Sequence, residues 1–76
     1  MRPPNGYVRF RMRNRRISTA EVDEVLDAPE VTYPSRTHED RMVILGQTLA
    51  GRRLKVVVLA ADPQTVVTVA DRDSEE

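Results

Sequence analysis

The stretch YVRFRMRNRR, Tyr7 to Arg16, decides whether this chain opens with a strand or a helix. Half of it is arginine, with no acid and no lysine. Val8, Phe10 and Met12 alternate with Arg9, Arg11 and Arg13, the period-two pattern of a strand. Wound as a helix at about 100° per residue, the stretch puts Val8 and Met12 on one face. Tyr7, Arg11 and Arg15 then form a row at i, i+4, i+8 beside that face. Arg9, Arg13 and Arg16 point to solvent, and Phe10 fits poorly. Periodicity alone favours the strand.

The neighbouring segments are less ambiguous. In RISTAEVDEVL, Ser18 fits a helix N-cap and Glu21 stands three residues on, a capping box flanked by Ile17 and Val22 as a hydrophobic staple. Val22, Val25 and Leu26 make an apolar stripe, Asp23, Glu24 and Asp27 face away, and Pro29 ends the helix. Three strand-like runs follow: Arg41–Leu45, Leu54–Ala60 and Thr65–Val69. Val31–Tyr33 is a short edge strand closed by Pro34. Gly51 in TLAGRR is free to take positive φ, and Asp62-Pro63 fits the first two positions of a type I turn. Short connections make the strands antiparallel neighbours, so the class is α+β.

At 76 residues the chain is one domain with a thin core. It has no cysteine, hence no disulfide or thiolate metal site, which suits a cytoplasmic location. No apolar run exceeds the six residues Val56–Ala61, too few to cross a membrane. Pro3, Pro4 and Gly6 mark residues 1–6 as a flexible leader; residues 7–73 form the domain and 74–76 an acidic tail. The formal net charge of zero is made of blocks. Met1–Arg16 holds six arginines and no acid, while Ile17–Val31 holds five acids and no base. Such asymmetry concerns surfaces: the basic block meets a polyanion, or the acidic helix neutralises it within the molecule.

The opening YVRFRMRNRRISTAEVDEVLDAPEVTYPS resembles a small bacterial family known as domain of unknown function 4258. Arg11, Met12, Arg15, Ile17, Ser18, Glu21 and Val22 match its pattern. The later GQTLAGRRLKVVVLAADPQTVVTVADRD is similar to the family's closing hairpin and strand. The resemblance implies two N-terminal helices followed by a three- to four-stranded antiparallel sheet, similar to RelE, ParE and BrnT toxins. It therefore makes the opening stretch a helix, against periodicity. It also implies a toxin-type domain that binds RNA and cleaves it, with an antitoxin protein as the other expected partner. Other members of that superfamily bind gyrase, and a non-enzymatic interaction module is the alternative.

Metal-independent RNA cleavage needs a base for the 2′-hydroxyl, an acid for the leaving oxygen and cations for the phosphate. Arginine suits the last role, since its fork meets phosphate bidentately and does not titrate. Arg11 and Arg15 are the candidates on the helix; their structural alternative is pairing with Glu21 or Glu24. Arg53 and Lys55 share the strand face opposite Leu54, Val56 and Val58. If the first helix packs near that face, the four cations converge on one anion, with Thr68 bordering them. Tyr7 occupies the position where the resemblance implies a histidine. A phenol has an unperturbed pKa of about 10, so Tyr7 marks a dead site, a phenol working beside Arg11 as in RelE-like enzymes, or a deliberate replacement. His38, the single histidine, lies in a polar loop beside Glu39 and Asp40, and these do not make a metal site. No cofactor is called for.

Overall fold

The computed structural model describes residues 1–73; the acidic tail 74–76 lies outside the described residues. Helices α1 (Gly6–Arg15) and α2 (Thr19–Asp27) precede strands β1 (Val31–Pro34), β2 (Arg41–Gln47), β3 (Arg53–Leu59) and β4 (Asp62–Asp71). The strands form one antiparallel sheet in the order β1-β2-β3-β4. The chain is thus α+β, with two helices leading a four-stranded open sheet.

The opening stretch is a helix despite its alternation. Its apolar contribution is small: only Val8 and Met12 are buried. Devices at its two ends do the rest. The Asn5 side chain accepts the Val8 N–H at 2.9 Å, satisfying one of the free donors of the first turn. At the far end Arg16 adopts the left-handed conformation (φ 55°), which lets the Ile17 N–H reach the Met12 carbonyl at 2.8 Å. Phe10, which the strand pattern would bury, is 63% exposed. The helix resolves its misfit by leaving the ring in water.

α2 needs less help. The Ser18 hydroxyl accepts the Glu21 N–H at 3.1 Å, and the Glu21 carboxylate accepts the Ser18 N–H at 2.9 Å. Ile17 and Val22 are both buried, as the staple requires. Val22 and Val25 enter the core, and Leu26 packs against it. α2 lies close to β2: a Cβ on Gly46 would stand 3.0 Å from Val25 Cγ1, so a side chain at this strand position requires Val25 to shift by a few tenths of an ångström.

Both helices cover the same face of the sheet. Val8, Met12, Val22 and Val25 share one cluster with Ile44, Leu54, Val56, Val58, Val66 and Val69. Full burial of a valine-sized side chain contributes roughly 1.5–3 kcal/mol, so this cluster is the main source of stability. The register places Tyr33, Val43, Val57 and Thr68 in one row of the other face, and Val31, Leu45, Lys55 and Ala70 in the next. No helix among the described residues covers this second face.

The turn between β3 and β4 differs from the sequence expectation. It is made by Ala60 and Ala61, and Asp62 and Pro63 already belong to β4. Asp62 acts instead as a staple: its carboxylate accepts the Thr65 hydroxyl at 2.7 Å and Arg2 Nε at 2.6 Å. Pro63 has no N–H for the ladder, and the register shifts between Val57 and Leu59 follow from the irregular start of β4. Both sheet edges are guarded. Arg2 N–H donates to the Gln64 carbonyl of β4 at 2.8 Å, while β1 is short and ends in Pro34. Met1 packs against the core.

Candidate functional site

The two cationic pairs expected to meet are divided by the sheet. α1 packs Val8 and Met12 against the Leu54, Val56 and Val58 face, so it does not cover the face of Arg53 and Lys55. Arg11 instead reaches the edge of β4, where its Nη2 donates to the Val69 carbonyl at 3.4 Å. Arg15 is half-buried one turn later. Lys55 and Thr68 share the open face, since Lys55 pairs with Ala70 and Val57 with Thr68. The Thr68 hydroxyl is buried and has no hydrogen-bond partner among the described residues. Arg53, at the end of the same face, is 3.7 Å from Asp73. Thr68 immediately precedes in β4 the residue whose carbonyl Arg11 meets, while Arg53 stands at the start of β3. Tyr7 heads the row and is 58% exposed.

The acidic helix does not neutralise the outer face of α1. Glu21 closes the capping box and stands 3.5 Å from Arg52. Asp23 pairs with the terminal ammonium of Met1, and Glu24 accepts the Leu49 N–H at 2.9 Å. Arg9 and Arg13 are exposed on α1, which has no acid of its own. Arg9, Arg13 and Arg16 face solvent, and three of the α2 acids, Glu21, Asp23 and Glu24, have other partners.

Arg52 is the cation that sequence reasoning missed. Its Nε and Nη2 meet the two Asp71 oxygens at 2.9 and 3.3 Å. Its Nη2 and Nη1 donate to the Arg15 and Arg16 carbonyls, each at 2.7 Å. These are orphan acceptors at the negative end of α1. The bond to Asp71 raises the Arg52 pKa above its usual value, against the opposing effect of burial. Thr48 holds the loop beneath it, accepting the Arg52 N–H at 3.0 Å on its hydroxyl, and Gly51 completes the turn at φ 89°. Nothing in the local sequence distinguishes Arg52 from Arg53. The strand twofold period does, but only once the start of β3 is known.

Phe10 is the other omission. Sequence reading set it aside as a residue that fits the helix poorly. Together with Tyr7 it makes an exposed aromatic pair at i, i+3. The signal was the misfit itself.

His38 stands in the exposed loop before β2, its Nδ1 3.0 Å from the Thr37 hydroxyl. Among the described residues no group of three His, Cys, Asp or Glu could hold a metal ion. No helix among them is long and apolar enough to cross a membrane. A concavity lined by Tyr33, Pro34, Ser35, Arg36, Thr37 and Val43 opens at the β1 edge, away from α1.

These features define a class: a small two-layer α+β domain with a one-signed basic helix along one sheet edge. The chain belongs to the family described as Domain of unknown function (DUF4258), whose model matches residues 8–71. No curated protein and no solved structure matches it.

Proposed function

We propose that this domain is a toxin-type RNA-binding protein of the RelE and BrnT kind, and that the outer face of α1 is its contact surface. One observation carries the reading: α1 and its cap present Arg9, Arg13 and Arg16 to solvent with no acid among them, while Glu21, Asp23 and Glu24 of α2 are engaged elsewhere. Guanidinium groups on a helix surface match the spacing and charge of a phosphate backbone. Arg11 and Arg15, beside the β4 edge, would hold the phosphates nearest the sheet, with Lys55 and Arg53 beyond it.

The test is binding of a labelled RNA strand against salt concentration. Each phosphate neutralised contributes about 0.7 to the slope of log affinity on log salt for a single strand, so affinity should fall steeply. An affinity that is flat with salt removes the reading. Cleavage is a further step. Tyr7 stands one turn before Arg11, where its phenolic oxygen would take the 2′-hydroxyl proton. Because Thr68, Arg53 and Lys55 belong to the open sheet face, an RNA touching every candidate must wrap around the β4 edge. Compared on denaturing gels, the protein and its Tyr7→Phe variant should differ in cleavage if the phenol is the base.

A second reading is favoured by a different region. Val31 and Tyr33 are 49% and 38% exposed at the β1 edge, and Leu45, Val57 and Leu59 are half-buried on the uncovered face. A non-enzymatic interaction module, or the seat of an antitoxin, would use this apolar surface. A stable dimer or a stoichiometric protein complex that Tyr33→Asp dissolves would support it over RNA binding.

A further inference from the structure

We propose that Tyr7 and Phe10 form a stacking platform for unpaired bases, so that the domain reads single-stranded RNA rather than duplex. The inference rests on the RNA-binding reading above and narrows its substrate. At about 100° per residue, Phe10 points about 180° away from the stripe of Val8 and Met12, and Tyr7 about 60° to its side. The two rings are 63% and 58% exposed. Phe10 contributes nothing to the core cluster, although the core of so small a domain has use for a large apolar side chain. Its immediate surroundings are polar and cationic: Arg13 and Asn14 on the same outward face, Arg9 on one flank, Arg11 on the other.

An aromatic ring ringed by guanidinium groups suits one ligand better than the others. A protein partner with an apolar anchor would meet three cations around it and leave them to be matched. A duplex presents only its backbone and groove edges, and an exposed ring gains little there. A single strand supplies both chemistries at once, phosphates for the arginines and a π-face from every base for the rings. One helical turn separates Tyr7 from Phe10, close enough for consecutive bases to engage both. The arginines alone would hold any nucleic acid; the rings supply the preference for unpaired strands.

The test uses three probes with the whole protein: a short labelled oligoadenylate, the same strand paired with oligouridylate, and an abasic strand of equal length. The expected result is tighter binding of the oligoadenylate than of the duplex or the abasic strand. Phe10→Ala should weaken oligoadenylate binding by about 5- to 100-fold, the range for one lost base–aromatic stack. Phe10→Leu should weaken it as well, because leucine keeps the apolar bulk without the π-face, while Phe10→Tyr should restore it. Equal affinity for all three probes, or full binding by Phe10→Leu, overturns the platform and leaves the phosphate contacts standing. No binding of any probe overturns both the platform and the RNA reading. A Phe10-dependent complex with a protein in place of RNA reassigns the face and overturns the proposal.

Discussion

The two helices of this domain are of nearly equal length and cover the same side of the sheet, yet they are held in opposite ways. α2 carries its own instructions. A capping box starts it, an apolar stripe buries Val22 and Val25, and its acids point outward. α1 has no amphipathic stripe beyond Val8 and Met12, and no acid to complement its N-terminus. It is held from outside, by Asn5 at one end and by Arg52 reaching across from the β2–β3 loop at the other. A helix stabilised at its ends leaves its outer face free of structural duty. In α1 that face carries the arginines and both exposed rings, and so it is where a ligand surface can be placed without weakening the fold.

The sharpest way to break this contrast is at Arg52. Arg52→Met removes two bonds to α1 carbonyls and the fork to Asp71, and should lower stability by about 2–3 kcal/mol in urea unfolding. Amide exchange should rise in α1 more than in α2. Arg52→Lys should recover little, because an ammonium cannot span the carboxylate and both carbonyls. Ser18→Ala removes the cap of α2 and should cost about 1 kcal/mol, with the loss concentrated in α2 amides. Arg16→Gly relieves the left-handed backbone at φ 55° and should stabilise the protein by roughly 0.5–1 kcal/mol, raising the melting temperature. A loss of stability instead would mean that the Arg16 side chain itself holds the end of α1.

The smallest effect concerns the leader and acid pH. The hydrogen bond from Arg2 holds the Asp62 carboxyl below its ordinary value, with Thr65 adding to the effect. A depressed folded-state pKa stabilises the fold above the unfolded value, near about 3.9 for an aspartate, and that contribution is lost as pH falls through the folded value. Thermal unfolding followed from neutral pH into this acidic range should therefore fall less for Asp62→Asn than for the unaltered protein. Equal slopes would show that the Arg2 staple contributes nothing in solution.

The contrast also separates what could be read early from what could not. The capping box of Ser18 and Glu21 is a local device, visible in four residues, and it appears as expected. The strand runs likewise emerge as β2, β3 and β4, with β1 closed by Pro34. Asp62-Pro63 misled because turn chemistry and strand chemistry overlap at an edge, where a missing N–H is tolerated. The convergence of Arg11 and Arg15 with Arg53 and Lys55 depended on which sheet face α1 covers. The face assignments of the strand residues were legible from period two, but the side chosen by the helix was not.

What the amino-acid order determined by itself is therefore local: the caps, the strand alternation, the glycine at position 51 and the blocks of charge. Each depends on residues a few positions apart, whose geometry the backbone sets. Periodicity leaned towards a strand for YVRFRMRNRR and the family resemblance made it a helix; only the tertiary structure supplied the physical reason, because the decisive contacts come from far along the chain. Val8 and Met12 join one core cluster with Leu54, Val56 and Val69, and Arg52 takes the carbonyls of Arg15 and Arg16. The alternation of apolar and basic residues could be satisfied by either conformation. Packing selected the one that buries two side chains, caps both ends and turns Phe10 outward.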